Sequence, residues 1–253
     1  MSRRVTTTAI AIQRFPYGET SQIVHFLTPD LGRVGVLVRG AFRPKNSYQG
    51  PIDLLVRGRI ALSMLEHREL GLLLSREVET AYPALRRSLG RFRAARHLLE
   101  AIERTTPVGH GGEEVFRLFD RGLRALETVP PERVALLVLS YDLRLLRTLG
   151  LSPELGRCVR CGEEKKFSRF SAAEGGILCR DCARADEGVR LSKPAWELLR
   201  LLDATPLREV ALPPKAALNH ARNLLFSHLA YHLDWMPQDG PLRPRRSRVL
   251  RHA

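Results

Sequence analysis

Gln22-Ile23-Val24-His25-Phe26-Leu27-Thr28-Pro29-Asp30-Leu31-Gly32-Arg33-Val34-Gly35-Val36-Leu37-Val38-Arg39 is two apolar runs joined by a turn. Thr28-Pro29-Asp30-Leu31-Gly32 sets proline and glycine where the chain must reverse. The segment therefore predicts two strands, at 22–27 and 33–39. Working outward, residues 6–12 form a strand that reaches this hairpin through Pro16-Tyr17-Gly18, and residues 54–65 and 71–78 supply a fourth and a fifth. Five short strands with polar loops over residues 1–80 fit a small Greek-key barrel. The OB-fold is the commonest such barrel on nucleic acids, and an SH3-like barrel would give a similar pattern.

From Pro83 the apolar period becomes helical. Leu85, Leu89, Phe92, Leu99 and Ile102 recur at threes and fours, with Arg86, Arg87, Arg91, Arg93 and Arg96 on other faces. The sequence predicts this first helix to run until Gly109-His110-Gly111-Gly112. A second is predicted at 113–128, and a third, apolar on most sides, at 132–149 after Pro130-Pro131. Two more are predicted at 194–202 and 214–234. The plan is α+β: a β-barrel over 1–80, then an α-helical domain over 81–236 that carries an inserted module at 155–186. A basic tail at 237–253, rich in proline and arginine, is expected to be disordered at least in part.

The inserted module holds the chain's four cysteines, Cys158-x2-Cys161 and Cys179-x2-Cys182, with 17 residues between the pairs. Each CxxC points two thiolates at one ion, and two of them complete a tetrahedron of soft ligands suited to Zn²⁺. All four positions are filled, so the predicted centre is structural rather than catalytic. The spacing is that of a zinc ribbon. Paired disulfides or a redox CxxC are the competing readings. No signal-peptide pattern opens the sequence, and a reducing compartment favours the metal.

The formal net charge is +14 and the pI about 10.6. Of the 41 basic residues 36 are arginine, a preference that GC-rich coding explains; the excess of basic over acidic residues it does not. A polyanionic partner is the expectation, single- or double-stranded DNA first. The most apolar stretch, 134–141, is far short of the roughly 20 residues of a membrane span.

Residues 1–59 hold nine basic side chains against three acidic ones. Arg14, Arg33, Arg39, Arg43, Lys45, Arg57 and Arg59, with Tyr17, Phe42 and Tyr48 among them, form a candidate surface in which phosphates meet charges and bases stack on rings. Residues 39–48 are its expected loop. Phe15, Tyr17 and Phe42 are equally readable as barrel core. Arg86, Arg87, Arg91 and Arg93 on the first helix are a second cationic patch, and Arg243, Arg245, Arg246, Arg248 and Arg251 a third. Catalytic signatures are scarce: there is no G-x-x-x-x-G-K-[ST] loop, G-x-S-x-G elbow or H-E-x-x-H helix. His220, His228 and His232 read as ordinary residues of an amphipathic helix. A sequence-specific zinc-ribbon regulator, a metal-dependent nuclease and a scaffold are the rival classes. No helix-turn-helix and no carboxylate cluster support the first two.

Beyond composition, four segments resemble a known family. Pro16-Tyr17-Gly18-Glu19-Thr20, Leu27-Thr28-Pro29-Asp30-Leu31-Gly32-Arg33 and Val38-Arg39-Gly40-Ala41 are similar to the N-terminal domain of the RecO family of DNA repair proteins. Leu143-Arg144-Leu145-Leu146-Arg147-Thr148-Leu149-Gly150-Leu151-Ser152-Pro153, running into the Cys158 and Cys179 pairs, is similar to its C-terminal part. The resemblance covers most of residues 5–235. It implies an OB-fold, a helical domain and a zinc ribbon, in a recombination mediator that is not an enzyme. It also implies binding to single- and double-stranded DNA, annealing, and contact with the C-terminal tail of single-strand-binding protein. With RecR, such a protein helps to load RecA, in the cytoplasm at the nucleoid. The family does not keep the four cysteines throughout, so the metal is expected to stabilise this fold.

Overall fold

A computed structural model of the chain describes residues 2–46, 48, 50–64, 65, 70–164 and 166–235. The basic tail at 237–253 lies outside the described residues. Five strands, β1 (Ser2–Tyr17), β2 (Ser21–Thr28), β3 (Gly32–Val38), β4 (Arg57–Leu65) and β5 (Leu70–Thr80), close a barrel in the order β1-β2-β3-β5-β4. The predicted hairpin is β2–β3, with Val24 opposite Val36. β1 is much longer than the strand predicted at 6–12. Its first half pairs with β4, Val5 opposite Leu62, and its second half with β2, Phe15 opposite Ile23. A bulge between Ala11 and Gln13 bends β1 from one partner to the other. β3 and β5 run parallel and complete the closure.

Alternation places Ala9, Ala11, Val24, Phe26, Val34, Val36, Val38, Ile60, Leu62 and Leu73 in one interior cluster. β3 is buried on its outer face too, because the loop at residues 106–112 docks on it. Arg33 N–H donates to the His110 carbonyl (2.8 Å) and Gly109 N–H to the Arg33 carbonyl (2.8 Å). A side chain at Gly32 would start 2.3 Å from the His110 oxygen, so this docking needs glycine there. The predicted helix break Gly109-His110-Gly111-Gly112 is thus a backbone partner of the barrel.

The helix predicted from Pro83 is two helices, α1 (Pro83–Arg87) and α2 (Leu89–Thr105). Ser88 between them is extended, and its hydroxyl accepts from Arg91 N–H to cap α2. Periodicity cannot show a one-residue break that leaves the apolar face in phase. α3 (Glu113–Thr128) and α4 (Val134–Thr148) pack with α2. At Gly122 α3 passes so close to its neighbours that an added carbon would lie 2.7 Å from Leu98 and 3.1 Å from Tyr141. Buried Asp142 on α4 meets His97 of α2 at 2.8 Å.

Two compact units result. The first joins Met1–Ser152 with Thr205–Leu212, and so contains the barrel and α1 to α4. The second is Pro153–Ala204 together with the chain from Pro213. It holds a three-stranded sheet, β6 (Phe167–Ser171), β7 (Gly176–Cys179) and β8 (Val189–Arg190) in the order β7-β6-β8, with helices α5 (Lys193–Ala204) and α6 (Lys215–Leu233). Among the described residues no helix is long and apolar enough to cross a membrane.

Candidate metal centre and nucleic-acid interface

In the second unit, the first CxxC follows an irregular segment tied to β7, and the second begins on the last residue of β7. Val159 N–H donates to the Ile177 carbonyl (3.0 Å) and Cys179 N–H to the Cys158 sulfur (3.4 Å), which seats one knuckle on the other. All four thiol sulfurs lie within 4.8 Å of one another, and Cys161 Sγ is 3.9 Å from Cys179 Sγ. Sulfurs each about 2.3 Å from a tetrahedral zinc stand about 3.8 Å apart. The cysteines are free, so paired disulfides are not what this arrangement forms.

The thiols also oppose one another's ionisation. Burial alone would raise Cys158, but the N–H groups of Cys179, Cys161 and Arg160 bring it down to about 6. Hydrogen bonding to Cys179, and then burial, pushes Cys182 up to about 12. One thiolate forms easily and hinders the last. A divalent soft cation at the centre removes that opposition, so the donor set fits a metal. His228 and His232 meet on α6 with tilted rings 4.2 Å between centres, and His228 also lies against Phe170. Among the described residues the four cysteines are the one metal-compatible group of three or more.

In the first unit, the predicted cations fall into three sets. At one rim of the barrel, Phe42 N–H donates to the Thr20 carbonyl (2.9 Å) and Gly40 N–H to Ser21 Oγ (3.2 Å). These bonds join the 39–46 loop to the β1–β2 turn and bring Tyr17, Arg39, Phe42 and Arg43 to one edge, with Lys45 further along the same loop. Phe15, Tyr17 and Phe42 are exposed by 46, 54 and 44%, so none of the three is barrel core. The Asn46 amide holds the loop, donating to the Ala41 and Arg43 carbonyls and accepting from Tyr48 and Gly50 N–H.

A second set is exposed but apart from that rim. Arg59 sits opposite Thr8, nine residues back along β1 from Tyr17 and beyond the bulge. Arg87 and Arg93 stand on α1 and α2. Arg14 and Arg86 both contact Asp53, at 3.4 and 2.8 Å. Burial would raise that carboxyl, but the Leu54 N–H and the two arginines hold it below its ordinary value.

The third set consists of residues that the fold takes for itself. Arg33 is 8% exposed. Its guanidinium donates to the carbonyls of Glu103 and Thr106 at the C-terminal end of α2 (2.9 Å each), to Gln13 Oε1 (2.6 Å) and to His25 Nδ1. It is a joint between barrel and helix, not a surface cation. Arg57 pairs with Glu79 and Asp120. Arg91 donates to the Leu126 and Val129 carbonyls that end α3. The Tyr48 hydroxyl donates to the Leu73 carbonyl (2.9 Å), which pins the loop to β5 instead of offering a ring for stacking.

Sequence reasoning missed one feature, a groove of about 700 Å³ between α3 and α4. Arg117, Arg121, Arg144 and Arg147 line it together with Glu113, which pairs with Arg117, and Glu114. Ser140 and Tyr141 also line it, and their hydroxyl oxygens are buried without a hydrogen-bond partner. Burial, and then the neighbouring Asp142, holds the Tyr141 phenol protonated, so it is a donor without an acceptor. No local motif encodes such a groove, because its cations come from two helices.

The chain matches the family models described as Recombination protein O N terminal, over residues 1–82, and Recombination protein O C terminal, over residues 86–239. It is 34% identical over 212 residues to the DNA repair protein RecO of Rhodopirellula baltica, covering 82% of this chain and 75% of that one. It is 32% identical to RecO of a Roseiflexus species, covering 92% and 82%. Identity to RecO of Anaeromyxobacter strain K is 33%, covering 91% and 92%.

Proposed function

The chain belongs to the recombination protein O family, and from that premise we propose that it is a DNA-repair mediator that works by binding rather than by turnover. In this proposal it binds single- and double-stranded DNA and anneals complementary strands. With RecR it helps to load RecA onto strands coated by single-strand-binding protein, in the cytoplasm at the nucleoid. We read the barrel as an OB-fold over residues 1–80, which the order β1-β2-β3-β5-β4 supports. The four cysteines would hold one structural Zn²⁺. When bound, zinc supplies a cross-link between the knuckles and no reactive position.

The observation that carries the DNA reading is the barrel rim, where exposed Tyr17 and Phe42 meet Arg39 and Arg43 on a braced loop. Rings at that edge can stack bases while the cations take phosphates. Annealing brings two mutually repelling polyanions together, and a chain of net charge +14 neutralises both. Contacts to the backbone leave the bases free to pair and confer little sequence preference. Arg87 and Arg93, away from the rim, supply charge for a second strand.

Anisotropy of a random labelled single strand across a salt series tests this. Replacing Arg39, Arg43 and Lys45 together by alanine is expected to flatten the slope of log affinity against log salt by about 2, at roughly 0.7 per lost phosphate contact. Tyr17→Ala or Phe42→Ala should each cost on the order of 1 kcal/mol with the slope unchanged. The wild-type chain should also speed annealing of complementary oligonucleotides when one is coated by single-strand-binding protein. A preference for one duplex sequence over random single strands would favour the sequence-specific regulator instead.

The groove between α3 and α4 favours a second contact, with the acidic C-terminal tail of single-strand-binding protein. Arg121 and Arg144, exposed on the groove beside the Arg117–Glu113 pair, suit a carboxylate-bearing segment. Arg121→Glu or Arg144→Glu is expected to weaken binding of a labelled tail peptide by tenfold or more, an effect on the order of 1.4 kcal/mol, and to leave binding at the rim intact. Unchanged peptide affinity in both variants would remove the groove from the proposal.

A further inference from the structure

Arg160, inside the first knuckle, reaches out of it in three directions. Its Nη1 donates to the Cys182 carbonyl (2.5 Å), so the first knuckle holds the backbone of the second. Its two terminal nitrogens grip the Glu187 carboxylate in a fork, Nη2 to Oε1 at 2.6 Å and Nη1 to Oε2 at 3.3 Å. Nη2 also lies 3.2 Å from Glu174 in the β6–β7 turn. Glu187 accepts in turn from Arg184 N–H, just past the second knuckle. Arg160's own N–H points at the Cys158 sulfur.

From this geometry we propose that Arg160 is a positioning residue for the four-cysteine centre, a brace that holds the two knuckles at ligating distance. The proposal rests on the metal reading given above. An isolated exposed ion pair would contribute little. This one is forked, shares its donors with a backbone carbonyl of a cysteine ligand, and joins three segments separated in sequence. A guanidinium can make that set of contacts and an ammonium cannot. Groups that orient metal ligands without touching the metal commonly change affinity by about 10–100-fold when removed.

The test is zinc release from the full chain to a chromogenic chelator, with zinc content measured alongside. Arg160→Ala and Arg160→Lys are both expected to raise the release rate and the dissociation constant for zinc by about 10–100-fold. Glu187→Gln should move both in the same direction by less. Arg157→Ala is the control, since Arg157 pairs with Glu154 at 3.4 Å rather than with the second knuckle, and it should match wild type. Arg160→Ala behaving like Arg157→Ala, in a chain that holds one zinc, would overturn the brace and leave the metal centre standing. Arg160→Lys behaving like wild type would overturn it in favour of plain charge. Emission from Trp196 and Trp235, both in this unit, should be native in Arg160→Ala at saturating zinc. Non-native emission there would make Arg160 a folding residue and overturn the positioning role. A wild-type chain without zinc would overturn the metal reading itself.

Discussion

Cys179→Ser is expected to abolish stoichiometric zinc and to unfold the unit that carries the cysteines. Cys179 and Cys158 are buried together with Leu178, and Phe167 and Val159 pack against them. Little apolar surface besides the thiols is available to hold the knuckles closed. Structural zinc in small domains contributes apparent binding energies of about 10–16 kcal/mol. Whole domains are stable by only about 5–15 kcal/mol. For the zinc centre proposed above, losing that contribution is comparable with the stability of a whole domain.

The chain's tryptophans give a direct readout. Trp196 packs on Phe167 with ring centres 5.4 Å apart and donates to the Leu155 carbonyl at 2.8 Å, while Trp235 is fully buried. Their emission should shift to the red in Cys179→Ser, and in wild type after prolonged chelation. Cys161→Ser, at the exposed corner of the cluster, should release metal with a smaller spectral change. Native emission and a native melting temperature in Cys179→Ser would contradict the structural role.

The cysteine centre was legible because its information is local: two CxxC pairs bring their own geometry. The β2–β3 hairpin was legible for the same reason, since Pro29 and Gly32 fix the reversal within five residues. What stayed hidden depends on partners far along the chain. The start of β1 is a strand because residues near position 60 pair with it, and Ser2-Arg3-Arg4 gives no such signal alone. The groove needs α3 and α4 side by side. The break at Ser88 costs no apolar periodicity and so leaves no trace in it. Exposure is the sharpest case. Tyr17, Phe42 and Tyr48 look alike as rings in a basic segment, yet Tyr48 alone finds the Leu73 carbonyl on β5.

Arg33 and Arg43 are likewise indistinguishable by composition, and their substitutions are expected to separate stability from binding. Arg33→Ala removes the donor from two backbone carbonyls at the end of α2, which cannot turn to water without moving the helix. Each buried acceptor left unmatched costs about 1–3 kcal/mol. A loss on the order of 3 kcal/mol or more in denaturant unfolding is expected, with single-strand affinity of the folded fraction unchanged. Arg33→Lys should recover little of it, because an ammonium cannot reach several fixed acceptors in a plane. Arg43→Ala should do the reverse, leaving stability within about 0.5 kcal/mol and weakening DNA binding.

The same joint carries a pH signature. Burial, and then the Arg33 cation, lowers His25 below its ordinary value of 6.5, so neutral Nδ1 accepts from the guanidinium. Between that lowered value and 6.5 the unfolded chain binds the proton and the folded chain does not. The contribution is therefore complete above pH 6.5 and is lost as pH falls through the folded value. Arg33→Ala removes the second of the two causes and should shrink the loss of stability on acidification. An Arg33→Ala chain with wild-type stability and reduced DNA affinity would return Arg33 to the binding surface and leave the docking of α2 on the barrel without its main side-chain tie.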